Sequence, residues 1–220
     1  MDKFLLIAHR GASAYAPENT LESFRKAIAM KAKAIECDVR LSKDEKIVVI
    51  HDETIDRTTN GKGFVKDLAA EELKKFNIPT LQEALDLLKD RDILLLIEIK
   101  EEGTEKKVLS ILKDNRFESR AIIVSFFPGA LEKVKKLSSV RTGFIYSRIE
   151  SKSPIEIAEK IKADYILPRK SLIDKEIIQE AHENGLKVFT WTVDDKKTAE
   201  DFIKLKIDGI ASNKPDLLDS

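Results

Sequence analysis

Eight short apolar runs recur along the chain, and a segment with helical periodicity follows most of them. The runs cover residues 4–9, 35–40, 93–99, 122–125, 143–146, 165–167, 188–191 and 207–210. Most are apolar on both faces, as are the strands of a parallel sheet covered by helices. Eight such units in 220 residues predict an α/β fold, a (β/α)8 or TIM barrel. An open doubly wound sheet is the competing interpretation, but no Gly-x-Gly-x-x-Gly turn follows the first run.

Capping signals predict where three of the helices begin. Thr80 and Glu83 form a capping box, Ser153 precedes a proline at the first helical position, and Asn19 stands three residues before Glu22 as the expected N-cap of the first helix. The connection that leads to Thr80 is longer than the others and contains a turn at 43–46 and a short returning strand at 47–50. No linker or repeat interrupts the chain, so we expect one domain over residues 1–220.

Composition narrows the class of partner. Thirty-nine basic residues balance thirty-nine acidic ones, so no global field favours nucleic acid or an anionic membrane. Cys37 is the single cysteine, which excludes an internal disulfide and a thiolate-rich zinc site. The early apolar run 4–8 is too short for a membrane span or a signal peptide. We therefore expect a cytoplasmic protein without a stable membrane anchor.

Three carboxylates are predicted at the mouth of the barrel. Side chains two residues apart on a strand point to the same side, so Glu36 and Asp38 project together on the second strand, as do Glu98 and Lys100 on the third. Acids buried together require compensation, and a divalent ion with all-oxygen ligands, Mg²⁺, Ca²⁺ or Mn²⁺, is the simplest form of it. On the strand pattern alone, buried ion pairs of these acids with Arg40, Arg10 and Lys100 remain an equal alternative.

Two histidines are expected at the same mouth. His9 ends the first strand and His51 ends the returning strand, where they suit general acid and base catalysis beside a metal. Arg10 and Lys100 add positive charge there, so the site suits a phosphoryl group.

Aromatic side chains and the third histidine have other predicted places. Trp191 ends the seventh run, and Phe126 and Phe127 follow the fourth, where together they would form an apolar lip for an organic substrate. His182 falls within a helix of the outer ring and is expected to be a surface residue.

The motifs around these residues resemble those of the glycerophosphodiester phosphodiesterase family. The resemblance runs from residue 8 to residue 215 and is most specific in the first half. The matching segments are His9-Arg10-Gly11-Ala12, Pro17-Glu18-Asn19-Thr20, Ile35-Glu36-Cys37-Asp38-Val39, Val48-Val49-Ile50-His51-Asp52, Arg57-Thr58-Thr59, Ile78-Pro79-Thr80-Leu81, Leu96-Ile97-Glu98-Ile99-Lys100, Ser125-Phe126, Trp191-Thr192-Val193 and Ile207-Asp208-Gly209-Ile210.

This resemblance implies a TIM barrel with a small insertion after the second strand, about residues 52–78. It implies hydrolysis of glycerophosphodiesters to an alcohol and glycerol 3-phosphate, with Ca²⁺ or Mg²⁺. It assigns roles to the residues just named: the metal ligands are Glu36, Asp38 and Glu98, the catalytic pair is His9 and His51, and the phosphate-binding cations are Arg10 and Lys100. Trp191 is the further candidate for contact with the substrate, a small water-soluble glycerophosphodiester.

Three alternative functions can be compared with this reading. A phospholipase-like barrel that forms a cyclic phosphate would share the histidines and the metal, and product analysis would distinguish it. A glycoside hydrolase with two carboxylates would leave His9, His51 and the cations without a role. A noncatalytic barrel that only binds phosphate compounds would be expected to lack a histidine or a metal ligand, whereas all five positions are filled here.

Overall fold

Eight parallel strands close into a barrel in the computed structural model, which describes residues 4–148 and 153–219. The first barrel strand pairs with both the second and the last, and this double pairing closes the ring. The barrel strands are β1 Leu5–Ala8, β2 Ala34–Leu41, β4 Leu94–Ile99, β5 Ala121–Ser125, β6 Arg141–Tyr146, β7 Tyr165–Pro168, β8 Lys187–Thr190 and β9 Gly209–Ser212, and β3 Ile47–Val49 lies outside the ring. The predicted (β/α)8 barrel is confirmed.

Helices cover the outside of the barrel and connect its strands. They are α1 Leu21–Ala29, α2 Ala70–Lys74, α3 Leu81–Leu88, α4 Glu105–Asp114, α5 Pro128–Leu137, α6 Pro154–Lys160, α7 Lys175–Glu183 and α8 Lys196–Lys204. The capping box at Thr80 and the cap at Ser153 are confirmed. The prediction for Asn19 is wrong: Thr20 caps α1, because Asn19 has φ 58° and turns its amide toward Asp38.

The last barrel strand begins two residues later than predicted. The predicted run 207–210 overlaps β9, Gly209–Ser212, only in part. The reason is that Ile207 belongs to the turn that follows α8: its N–H donates to the carbonyl of Phe202, and Lys206 before it has φ 66°. This geometry closes the C-terminus of α8 after its cap residue, Leu205, so Ile207 bonds back to the helix and does not pair in the sheet. The other barrel strands end within two residues of their predicted bounds.

The long connection after β2 forms the predicted insertion. Strand β3 runs antiparallel to β2, with Val39 opposite Val49. Beyond it, the segment packs on an apolar cluster of its own, whose buried members are Val48, Ile50, Ile55, Val65, Ala70, Leu73 and Ile78. Because this cluster holds the insertion against the barrel, His51 at the end of β3 has a fixed place at the rim.

Side chains alternate between the inside and the outside of the barrel, as the sequence predicts for β2. Ile35, Cys37 and Val39 belong to the core between strands and helices. Glu36 and Asp38 point the other way and are 6% and 0% exposed. Below them, the barrel interior is filled by apolar side chains, namely Ile7, Ala34, Leu96, Ile122, Val124, Ile145, Tyr165, Leu167, Phe189 and Ala211. Inside the barrel, the charged side chains Glu36 and Asp38 therefore lie above this apolar layer, toward the C-terminal end of the strands.

Among the helices of the described ranges, none has both the length and the apolar character that a membrane span requires.

Candidate active site

Three carboxylates converge at the C-terminal end of β2 and β4. The parallel register places Asp38 directly opposite Glu98, and Glu36 lies one pleat deeper on the same face of β2. One carboxylate oxygen from each of these three residues lies within 4.8 Å of the other two. The sequence-predicted acids are thus brought together as one cluster.

Two cations neutralise part of this negative charge. The Arg10 guanidinium Nε lies 3.2 Å from Asp38 Oδ2, and the backbone N–H of Arg10 donates to Glu36 Oε2 at 2.9 Å. Lys100 Nζ lies 2.6 Å from Glu98 Oε1 and 3.6 Å from Asp38 Oδ1. The predicted ion pairs of Arg10 and Lys100 are therefore present.

Arg40 does not take part in these pairs, so the alternative of buried ion pairs with the three acids is wrong for Arg40. Its Nε donates to the backbone carbonyl of His51 at 2.8 Å, and its guanidinium lies 3.8 Å from Glu101. Arg40 projects from the end of β2 toward the insertion, where it supports His51.

The cluster still has unmet capacity for a cation. Glu36 Oε1 and Asp38 Oδ1 are buried without a hydrogen-bond partner. Burial, with the charges of Asp38 and Glu98, raises the pKa of Glu36 well above its usual value. Burial and the charge of Asp38 raise the pKa of Glu98 to about 7, against the opposing effect of Lys100. Two oxygens without a hydrogen bond, in a donor set made only of oxygens, fit a hard divalent cation.

Asp38 stands apart electrostatically from the other two acids. Burial opposes its ionisation, but the charges of Arg10 and Lys100 hold its pKa below the usual range. The Asn19 amide adds a hydrogen bond of 2.8 Å to Asp38 Oδ2 and accepts one from the Asp38 backbone N–H at 3.2 Å. Asn19 thus fixes the orientation of the Asp38 carboxylate. The sequence does not predict this role, because Asn19 is expected there to be a helix cap.

Both candidate histidines are anchored through Nδ1. His9 Nδ1 lies 2.7 Å from Asn213 Oδ1, and His51 Nδ1 lies 2.6 Å from Asp52 Oδ1. Nε2 is therefore the ring nitrogen left for other chemistry, and His9 Nε2 lies 4.0 Å from Glu36 Oε2. Burial lowers the pKa of both imidazoles.

A charged network links the two histidine neighbourhoods. Arg57 Nε donates to Asp52 Oδ2 at 2.6 Å and its Nη1 donates to Glu18 Oε2 at 2.9 Å. Glu18 Oε1 in turn accepts from Arg10 Nη1 at 2.8 Å. The sequence shows Glu18, Asp52 and Arg57 only as parts of motifs, without a role, whereas Arg10 is predicted there as a phosphate-binding cation; the segments Pro17-Glu18-Asn19-Thr20 and Arg57-Thr58-Thr59 are the available signal.

A cavity of about 130 Å³ opens beneath the charged groups. His9, Arg10, His51 and Lys100 line its mouth. Its wall includes Trp191, which makes an edge-to-face contact with Phe126 at 5.7 Å between ring centroids. The Trp191 indole N–H donates to the carbonyl of Leu167 at 3.0 Å, which fixes the ring against the barrel.

Two aromatic predictions are corrected by this arrangement. Trp191 lies just beyond the end of β8, where it forms an isolated bridge with Arg169. Phe127 does not line the cavity: it is the N-cap residue of α5 and is 41% exposed. The chain turns from strand to helix at this point, so neighbouring phenylalanines point in different directions. The apolar lip thus consists of Phe126 and Trp191.

Two other features lie outside this cluster. His182 on α7 is exposed as predicted, and its Nε2 lies 2.8 Å from Asp208 Oδ2. A larger groove of about 710 Å³ runs between α1 and the insertion, but neither a histidine nor a member of the carboxylate cluster lines it. The cavity below the carboxylates is therefore the candidate active site.

Comparison with known proteins identifies the family. The sequence profile of the glycerophosphoryl diester phosphodiesterase family matches residues 9–217. A glycerophosphodiester phosphodiesterase from Caldanaerobacter subterraneus subsp. tengcongensis is 41% identical over 98% of this chain and 96% of its own length.

Solved structures of similar proteins have the same fold. A glycerophosphodiester phosphodiesterase from Thermotoga maritima superposes with a TM-score of 0.87 at 31% identity, over 99% of this chain and 97% of its own. A phosphodiesterase from Oleispira antarctica, solved in complex with the product sn-glycerol-3-phosphate, has a TM-score of 0.88 at 29% identity, over 96% and 93% of the two chains. The chain belongs to the glycerophosphoryl diester phosphodiesterase family and is an enzyme of the phosphoric diester hydrolase class.

Proposed function

We propose that the protein hydrolyses small glycerophosphodiesters to an alcohol and sn-glycerol 3-phosphate. One observation carries the proposal: two histidines, two cations and two carboxylates, Glu36 and Glu98, line one small cavity at the C-terminal mouth of the barrel, and Asp38 completes the carboxylate cluster at its edge. This is where barrel enzymes place their reacting groups. The product complex of the Oleispira antarctica relative supports the same choice of substrate.

A divalent cation belongs to this proposal. Glu36, Asp38 and Glu98 would hold one Mg²⁺ or Ca²⁺, with Mn²⁺ as a third candidate, since all three donors are carboxylates and two of their oxygens lack a hydrogen bond. When bound, the ion supplies positive charge that stabilises the phosphoryl oxygens during transfer.

Arg10 and Lys100 are proposed to bind the phosphate. Both are largely buried at the cavity mouth, with side chains 18% and 12% exposed. A guanidinium donates along two parallel directions and an ammonium acts as a compact point charge, so together they neutralise a diester from two sides. Their present partners, Asp38 and Glu98, would share them with the substrate as the metal takes up carboxylate charge.

The two histidines are proposed to move protons. One imidazole accepts a proton from the attacking hydroxyl, that of water or of the glycerol unit itself, as its oxygen bonds to phosphorus. The other imidazole, protonated, donates to the oxygen of the departing alcohol as the bond from that oxygen to phosphorus breaks. When the glycerol hydroxyl attacks, water opens the resulting cyclic phosphate in a second step, with the roles of the two imidazoles reversed. The free Nε2 atoms of His9 and His51 suit these roles, since each Nδ1 is held by a side-chain oxygen. One proton is taken up and one released, so the protein returns to its starting charge after each pair of transfers.

The apolar lip of the cavity limits which substrates can enter. Phe126 and Trp191 offer a carbon surface beside Lys100, whose Nζ lies 5.7 Å from the Phe126 ring centroid. A glycerol unit presents a carbon face of similar size, and a volume of about 130 Å³ suits a small substrate. Choline and ethanolamine esters are the first substrates to test. We also propose that barrel and insertion act as one domain, since His51 stands at the point where the insertion begins and lines the cavity of the barrel.

An assay coupled to glycerol-3-phosphate dehydrogenase tests the function. Choline and ethanolamine glycerophosphodiesters should each give a signal that depends on added Mg²⁺ or Ca²⁺. A phosphate monoester and an intact phospholipid serve as control substrates. A protein that cleaves either control and none of the glycerophosphodiesters would contradict the proposal.

A further inference from the structure

Hydrogen bonds lead from His9 away from the cavity to two residues without a role in the proposed chemistry. His9 Nδ1 lies 2.7 Å from Asn213 Oδ1. Asn213 Nδ2 donates to Asp194 Oδ2 at 2.6 Å, and the Asn213 backbone N–H donates to Asp194 Oδ1 at 2.8 Å. His9 follows β1, Asn213 follows β9 and Asp194 lies beyond the end of β8. Barrel closure therefore assembles this relay from three consecutive strand ends.

The chemistry of Asp194 fixes the direction of every bond in the relay. A carboxylate has no hydrogen to donate, so Asn213 must turn its NH₂ toward Asp194 and its carbonyl oxygen toward His9. The Ser13 hydroxyl, 2.8 Å from the same carbonyl oxygen, is compatible with that orientation. Asn213 Oδ1 can only accept, and His9 Nδ1 must therefore carry the ring hydrogen.

The consequence lies at the other ring nitrogen. When Nδ1 carries the hydrogen, the lone pair of neutral His9 is on Nε2, which faces the cavity 4.0 Å from Glu36 Oε2. The opposite tautomer would place the Nδ1 lone pair against the Asn213 carbonyl oxygen at 2.7 Å, which is repulsive. We propose that Asp194 and Asn213 are positioning residues that hold His9 in the Nδ1–H tautomer, with Nε2 ready to exchange a proton with the substrate. This inference rests on the proposed function.

His51 shows the simpler version of the same device. A carboxylate, Asp52, contacts its Nδ1 directly at 2.6 Å. At His9 an amide stands between the imidazole and the carboxylate. The two residues can be exchanged in the double variant Asp194→Asn with Asn213→Asp. A carboxylate at position 213 would then contact His9 directly. The amide at position 194 would donate to that carboxylate, so the hydrogen bond between the two positions would be kept.

Nitrogen-15 NMR of the histidine side chains tests the inference, and three histidines keep the spectrum simple to assign. The full-length protein is measured with Mg²⁺ present, at a pH where the imidazoles are neutral. The wild-type His9 ring should be Nδ1–H. In Asp194→Asn, residue 194 offers both a donor and an acceptor, so Asn213 can turn over and the His9 ring should become a mixture of tautomers.

Turnover is measured on the same variants. Asp194→Asn should lower kcat by about 10–100-fold with little change in KM, as expected when a supporting partner of a reacting group is lost. The exchanged double variant should restore both the Nδ1–H tautomer and most of kcat. Asp216→Asn is the matched control. Asp216 lies three residues after Asn213, accepts a hydrogen bond from Tyr15 and does not contact His9.

Two results would overturn the inference. The first is an Nε2–H tautomer of His9 in the wild type, a measurement that does not depend on the folding of any variant. The second is an unchanged tautomer in folded Asp194→Asn. A tautomer that shifts as expected in a protein without turnover on any glycerophosphodiester would uphold the relay and contradict the proposed function. The two claims are thus tested separately.

Discussion

Glu36 Oε2 lies 4.0 Å from Nε2 of His9, so a proposed metal ligand and a proposed proton carrier share one wall of the cavity. The two residues come from neighbouring strands, β1 and β2, whose parallel pairing brings Ala8 opposite Ile35. The residues proposed for metal binding and for proton transfer therefore lie at the end of one strand pair, and each proposed role can be tested by a different substitution.

Metal removal should abolish turnover. Glu36 Oε1 and Asp38 Oδ1 have no hydrogen-bond partner, and a bound cation would satisfy both. Dialysis against a chelator followed by stepwise addition of Mg²⁺, Ca²⁺ or Mn²⁺ should restore activity in a saturable way, and calorimetry should detect one binding event per chain. Full activity in excess chelator would show that no metal is needed.

Glu98→Gln should weaken metal binding and lower activity while the barrel stays folded. The substitution keeps the side-chain volume but removes one anionic ligand, and Lys100 retains Asp38 as a partner at 3.6 Å. Titration with Mg²⁺ measures the binding, and circular dichroism checks the fold. Glu102→Gln, at an exposed position just beyond the same strand, is the control and should behave as the wild type. Unaltered Mg²⁺ affinity in Glu98→Gln would remove this residue from the ligand set.

Each of His9→Asn and His51→Asn should lower kcat by about 10²–10⁴-fold, the usual size of a general acid or base effect. Asparagine keeps a hydrogen-bonding group but carries no titrating imidazole. His182→Gln is the control, since its imidazole contacts Asp208 on the outside of the barrel. If His51→Asn retained most of its kcat, the proposed role of His51 would be wrong.

Glu18 should contribute to stability in a defined pH range. Burial opposes its charge, but hydrogen bonds from Arg57 and the charge of Arg10 lower its pKa from 4.5 to about 2. Since the folded pKa lies below the unfolded one, the stabilisation is fully present above pH 4.5 and is lost as the pH falls toward about 2. Urea unfolding should show Glu18→Gln less stable than the wild type at pH 6, with the difference shrinking toward pH 2.

The control for that experiment is Glu22→Gln. Glu22 is an exposed glutamate four residues further along the chain, in the first turn of α1. It should show little difference from the wild type at either pH. A stability deficit of Glu18→Gln that does not depend on pH would contradict the role given to the Glu18 charge.

Local patterns were sufficient to predict the parts of the site that lie on strands. The two-residue alternation on β2 places Glu36 and Asp38 on one face, and parallel register then brings Glu98 beside Asp38. Residues at strand ends were harder to predict, because their direction depends on the turn that follows. Phe127 and Asn19 both illustrate this: each stands at a strand or helix boundary where side chains no longer alternate.

Contacts that depend on closure of the barrel had no signal in the sequence. Asn213 and His9 are separated by 204 residues and meet only because β1 pairs with β9. Asp194 follows β8 and reaches the same place through the neighbouring strand pair. Neither residue belongs to a short motif with a known mechanism, so only the assembled fold shows that they face the imidazole.

Phosphorus-31 NMR of the reaction with glycerophosphocholine and Mg²⁺ tests the central claim most directly, because it follows the phosphorus atom itself. The account predicts that the diester resonance disappears and that sn-glycerol 3-phosphate grows in its place as the final product, with neither change in the His9→Asn protein over the same time. A resonance of phosphocholine, a cyclic phosphate that persists as the end product, or a diester that stays intact in the wild-type reaction would contradict it.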